Sequence, residues 1–150
     1  MKKLFSFLVA ATCCAFNAFA GNGTIIDQGQ KQMKSGLGDY SEIAYAFAKG
    51  DKITLDASSS KMLDRVTIVM YPQTEITRVL ATKHMNKAFV VPQDGVVIIR
   101  FVSDRGGTTN VNYTVTREPA SDAVKDYNTH VSWEKPTDKP GPLVPVQAKE

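Results

Sequence analysis

Apolar and polar residues alternate over most of this chain with a period of two, the spacing of a strand that has one face in a core and the other in water. The clearest stretch is Phe89 to Arg117, where Val111, Tyr113 and Val115 interleave with Asn112, Thr114 and Thr116. Two groups of turn formers, Pro92 to Gly95 and Asp104 to Gly107, divide it into three segments that read as a β-meander. Within the middle segment, Ile98 and Phe101 differ by an odd number of residues and cannot both face inward on a regular strand. That spacing leads us to expect a β-bulge at Arg100 rather than a strand buried on both faces.

The same period continues upstream. Ile43, Tyr45 and Phe47 alternate with alanines, and Lys49-Gly50-Asp51-Lys52 leads to Ile53 and Leu55, the pattern of a hairpin. Ser58 to Lys61 reads as a polar loop, Arg65 to Tyr71 as a strand with Val66, Ile68 and Met70 inward, and Glu75 to Leu80 as a weaker strand. Lys83 to Lys87 reads as a polar connection, and Thr24 to Ile26 as an edge strand or arm ahead of a loop at 35–39. After Glu118-Pro119 the period is lost: Ala120 to Tyr127 has room for one helical turn, and Val131 and Trp133 for a short strand or flap. Seven or eight short strands with almost no helix describe an all-β, antiparallel β-sandwich of jelly-roll-like type.

The two ends have a different character. Met1 to Ala20 combines Lys2-Lys3, an apolar run from Leu4 to Phe16, and Ala18-Phe19-Ala20, the parts of a secretory signal with cleavage before Gly21. The apolar run is too short to cross a bilayer, so no stable span is expected in the mature chain. Lipid anchoring at Cys13 or Cys14 is a minority reading, since Ala10-Ala11-Thr12 is a poor lipoprotein signal. Lys135 to Glu150 holds four of the seven prolines and reads as a flexible, disordered Pro-rich tail. The expected organisation is thus a signal over 1–20, a sandwich over 21–134 and a tail over 135–150.

Both cysteines lie in the signal, so the exported domain is held by its core alone, which fits a bacterial periplasmic or extracellular protein. Without Lys2 and Lys3, sixteen basic residues face fifteen acidic ones, and that near-neutral balance argues against a nucleic-acid partner. The sequons at Asn22 and Asn112 matter only in a eukaryotic secretory pathway.

Candidate chemistry is sparse. His84 and His130 are far apart in the chain and read as surface residues. Asp51, Asp94 and Asp104 each sit in a glycine-containing turn, where aspartate caps its own backbone. They lack the spacing of a calcium loop, so neither a metal site nor a cofactor is expected. Ser58 to Ser60 has no nucleophile context, and no catalytic residues are expected. Tyr40, Tyr71, Tyr127 and Trp133 fall at loops or strand ends and are the candidate ligand-binding residues.

The order Phe47-Ala48-Lys49-Gly50-Asp51-Lys52-Ile53, then Val66 to Pro72, then Phe89-Val90-Val91-Pro92-Gln93-Asp94-Gly95 and a final strand over Val111 to Arg117, resembles GOLD-type and bacterial pre-peptidase C-terminal-type β-sandwich modules. The resemblance spans about residues 40 to 117. It implies a non-enzymatic interaction module, here without the catalytic domain to which such modules are usually attached. The sequence reading is therefore a non-catalytic, exported β-sandwich that binds an envelope protein or a glycan. The alternative is a carbohydrate-binding module with Tyr and Trp platforms, with or without calcium.

Overall fold

The structure, a computed structural model, describes residues 23–35, 40–104, 106–127, 129, 131–132 and 146–147. The expected signal with Cys13 and Cys14, His130, Trp133 and all of the tail but Val146 and Gln147 lie outside the described residues. Six long strands carry the fold: β1 (Thr24–Ser35), β2 (Tyr40–Phe47), β3 (Lys52–Met70), β4 (Thr74–Val90), β5 (Gly95–Val102) and β6 (Gly107–Glu118). A single 3-10 turn follows at Asp122–Val124, where one helical turn was expected. Two-residue strands, β7 (Val131–Ser132) and β8 (Val146–Gln147), then pair with each other.

The pairing of the long strands differs from the meander and the hairpin expected from the sequence. Strand β5 pairs with β2 and β3, and β6 pairs with β1 and β3, so β5 and β6 are never neighbours. Nor does β2 pair with β3; the Gly50-Asp51 turn carries the chain from one sheet to the other. Among the long strands, only β3 and β4 follow each other in sequence and also pair.

These two strands explain the architecture. The front half of β3, Lys52 to Ser59, lies between β6 and the rear of β4; its rear half, Arg65 to Met70, lies between β5 and the front of β4. Counting each half as a strand gives a first sheet of β1, β6, front β3 and rear β4, and a second of β2, β5, rear β3 and front β4. In chain order that is 1-8-3-6 packed on 2-7-4-5, the two-sheet antiparallel jelly roll.

The crossing between sheets falls where the ladder of β3 and β4 shifts register, between Ser58 and Leu63. Ala81 adopts φ 47 there, a left-handed backbone rare in residues other than glycine. Irregular pairing at a corner is how a continuous strand changes sheets. It also explains why the polar runs Ser58 to Lys61 and Lys83 to Lys87 sit inside strands rather than in loops. The first run bonds to the start of β6 and the turn before it, Lys61 Nζ donating to the Gly106 carbonyl at 2.7 Å and the Asn110 N–H to Ser60 Oγ at 3.0 Å. The second pairs with front β3.

The core lies between the sheets, with Ile53, Leu55, Val111 and Val115 from the first facing Phe47, Ile68, Ile99 and Phe101 from the second. Strand β5 pairs regularly through Arg100 on both sides, opposite Glu42 and Thr67, so the expected bulge is absent. Val97, Ile99 and Phe101 point into the core and Ile98 outward, yet Ile98 is only 3% exposed. The strand is buried on both faces, which removes any need for a bulge.

One end is closed by a buried charge pair. Arg117 Nε donates to Asp51 Oδ2 at 2.8 Å, and Asp51 also accepts the N–H groups of Ala48 and Ala120. The other guanidinium nitrogens donate to the Val124 and Tyr127 carbonyls. This network joins the crossing after β2 to the segment that follows β6. Alongside it, the Ala46 N–H donates to the Thr129 carbonyl at 3.0 Å, covering part of the β2 edge.

Candidate functional site

The outer faces of the two sheets differ, and among the described residues the second carries a groove walled by arginines. Cross-strand register sets its layout. Thr67 lies at the centre of rear β3, with Arg100 of β5 opposite on one side and Arg78 of β4 on the other. Arg65 precedes Thr67 by two residues and therefore shares its face. Val69 and Ile98 continue the same face towards the β3–β4 turn, where Tyr71 and Pro72 close the groove, whose volume is about 670 Å³.

Carboxylates orient two of the three guanidinium groups. Arg100 Nε pairs with Glu42, whose side chain is 2% exposed, and its Cζ stands 5.1 Å from the centre of the Tyr40 ring. A cation over an aromatic face in a partly buried setting is stabilising by about 0.5–2 kcal/mol. Arg78 pairs with Glu75 through both Nε and Nη2 in a more exposed setting. Among the described residues Arg65 has no carboxylate within ion-pair distance.

Of the residues singled out from the sequence, Tyr40 and Tyr71 reach this sheet but stand at opposite ends of β5. Tyr40 is opposite Val102, while the Tyr71 N–H donates to the Val96 carbonyl at 2.8 Å. Tyr127 is elsewhere, 49% exposed beyond β6, on a separate depression with Asp122, Lys125 and Asp126. The structure thus brings two of the four towards one face and leaves Tyr127 apart. Period-two alternation through β5 was the available signal for Arg100, and the expectation of a bulge obscured it.

Asp51 caps the backbone of its own turn, as its sequence context suggested, whereas Asp94 serves that same turn from 45 residues away and the Asp104 N–H is held by a second aspartate. Asp51 caps Ala48, and Asp94 Oδ1 accepts the Lys49 N–H at 2.7 Å. The Asp104 N–H donates to Asp64 Oδ2 at 2.6 Å. Among the described residues, no group of three or more His, Cys, Asp or Glu side chains is placed to hold a metal ion. No helix of the described residues is long and apolar enough to cross a membrane.

Two tyrosines that the sequence reading placed in the core carry a polar function as well. The hydroxyls of Tyr45, from the second sheet, and Tyr113, from the first, both donate to Asp27 Oδ2, at 2.7 and 3.3 Å. Burial and the nearby carboxylate disfavour their ionised forms, raising Tyr45 well above the ordinary phenol range and pushing Tyr113 up to about 12.

The outer face of the first sheet is a field of short amides and hydroxyls. Gln30 Nε2 donates to Asn112 Oδ1 at 2.9 Å, Gln32 Nε2 to Asn110 Oδ1 at 3.1 Å, and Asn86 Nδ2 to Asp56 Oδ2 at 3.0 Å. A smaller depression of about 520 Å³ lies at its rim, bounded by Lys52, Glu118 and Gly23. A Cβ on Gly23 would stand 2.7 Å from Thr116 Cγ2, so only glycine allows the backbone to pass that close.

No family model and no curated protein matches this chain. Solved structures with some similarity include a family two carbohydrate esterase from Cellvibrio japonicus, at 14% identity and a TM-score of 0.38. The match covers 66% of this chain but 31% of the esterase, so the chain spans less than a third of that protein. A carbohydrate-binding module of family CBM36, in complex with calcium and xylotriose, is 15% identical, with 65% of this chain and 94% of the module covered and a TM-score of 0.36. The CBM36-1 domain of a multidomain xylanase from the hindgut metagenome of Trinervitermes trinervoides is also 15% identical, covering 66% and 90% at a TM-score of 0.38. At these scores the likenesses carry no argument about function.

Proposed function

We propose that this protein is a non-catalytic, exported binding module of the bacterial envelope whose ligand surface is the outer face of the second sheet. The observation that supports this reading is the groove itself. Short side chains, Thr67, Val69 and Ile98, line its base, oriented guanidinium groups line its sides and Tyr71 lies at its end. Convergent polar groups around an apolar base favour ligand binding over a merely solvated face.

A glycan ligand is the second reading, and the paired backbone favours it over an extended peptide. Peptides that add to sheets do so at an unpaired strand edge. Rear β3, under the groove, is hydrogen-bonded on both sides, to β4 and to β5, so only side chains face a ligand there. An aromatic ring with hydroxyl and guanidinium donors is suited to sugar rings and their oxygens.

Glycan-array binding of the purified protein, repeated with EDTA and with Tyr71→Ala, tests both readings. Binding that Tyr71→Ala weakens and EDTA leaves unchanged supports a glycan held by the groove without metal. Loss of binding in EDTA would implicate calcium. Capture of a single envelope protein, with no array signal, would favour the interaction module.

A further inference from the structure

Taking the groove as the ligand surface, we infer that its ligand is an anionic glycan, with an acidic group of the sugar chain seated over Thr67 among Arg65, Arg78 and Arg100. The register carries this. Arg78 and Arg100 stand on the strands either side of Thr67, so their Cα atoms are about 10 Å apart, two strand spacings. Arg65 adds a third guanidinium about 7 Å along the strand from Thr67, on the same face. The residue enclosed by these three cations is a threonine, which leaves space above it and offers a hydroxyl.

The charge balance favours an anion. Glu42 pairs with Arg100 from β2, beyond the groove, and Glu75 pairs with Arg78 from within the lining, opposite Val69. Arg65 has no carboxylate partner among the described residues, so three guanidinium groups face two carboxylates. Each glutamate fixes one edge of its guanidinium, and a guanidinium has five N–H donors in a planar fork. The edges not used by the glutamates match the two oxygens of a carboxylate or sulfate. A solvated surface strand needs no such arrangement, and the outer face of the first sheet, built on the same two long strands, has none.

Carboxylate and sulfate sugars share this chemistry, and titration calorimetry at about 150 mM salt separates them. The probes are oligogalacturonate, a sulfated dextran oligosaccharide, neutral xylohexaose and polyglutamate. We expect one of the two acidic sugars to bind and to weaken as salt is raised. Arg65→Gln should then weaken binding by about tenfold, the scale of one charge-assisted hydrogen bond. The Arg65→Gln/Arg78→Gln double variant should weaken it by about a hundredfold, while Arg65→Lys retains part of the affinity. Gln30→Ala, on the opposite sheet, should change nothing, and circular dichroism of each variant checks the fold.

Tight binding of xylohexaose, lost in Tyr71→Ala but not in Arg65→Gln, would overturn the anion assignment and leave the groove in place. Binding of an acidic sugar that none of the groove variants alters would overturn the groove reading too. Binding of polyglutamate alone, or of no probe, would overturn the anionic glycan.

Discussion

The outer faces of the two sheets are built on the same two strands, β3 and β4, each of which contributes half its length to either sheet. They nevertheless differ in chemistry. On the first sheet, side-chain amides hydrogen-bond to one another or to a carboxylate, as in the pairs of Gln30 with Asn112 and of Asn86 with Asp56. On the second, guanidinium groups flank a short threonine, and Ile98 beneath them is nearly as buried as the core. Alternation alone does not distinguish a solvated face from a recognition face. What distinguishes them is the mixture of long charged and short residues in cross-strand register, and whether an apolar base lies underneath.

The largest expected effect removes both faces together. Asp51→Ala leaves the Arg117 guanidinium buried without its carboxylate, which costs about 3–5 kcal/mol. Against a usual domain stability of about 5–15 kcal/mol, that is a large fraction of the total. Thermal or urea unfolding should show the loss, and an unchanged midpoint would mean the pair is not holding the end of the sandwich. Next, Ile98→Ala should cost about 2–4 kcal/mol although the residue points outward. Thr114→Ala, its counterpart in the middle of the first sheet's outer face, should stay within about 0.5 kcal/mol. Equal costs would erase the distinction between the faces.

Arg100→Met comes third. It leaves the buried Glu42 carboxylate without its guanidinium, and denaturant unfolding should register a loss of about 1–3 kcal/mol. The fourth prediction concerns the seam where Tyr45 and Tyr113 meet at Asp27. A phenol whose folded pKa lies above its unfolded value adds stability that is fully present below the unfolded pKa and disappears as pH rises through the folded one. Stability should therefore hold up to about pH 10, the ordinary tyrosine value, and decline between there and about 12 as Tyr113 ionises. Tyr113→Phe should flatten part of that decline in a pH series of urea melts. The smallest effect is expected for Asn112→Ala, within about 0.5 kcal/mol and with no change in ligand binding.

Most of the fold's local content was legible in the sequence. Val66, Ile68 and Met70 face inward as their spacing required, and so do Ile43, Tyr45 and Phe47. Their alternation reflects the pleat, which is a property of a strand by itself. The capping of Ala48 by Asp51 was equally local, three residues away, but that of Lys49 by Asp94 was not, since 45 residues separate them.

What the sequence could not determine was partnership. Turns such as Lys49 to Lys52 and Asp104 to Gly107 signal a reversal of direction but not whether the next strand joins the same sheet or the opposite one. That choice depends on which pairing lets both apolar faces meet, and hence on the whole set of strands. The polar run Ser58 to Lys61 read as a loop because its hydrogen-bond partners, near Gly106 and Asn110, are distant in sequence. The arginine groove is a product of the same choice. Arg65, Arg78 and Arg100 lie on three strands, and only the tertiary pairing of those strands places all three around Thr67.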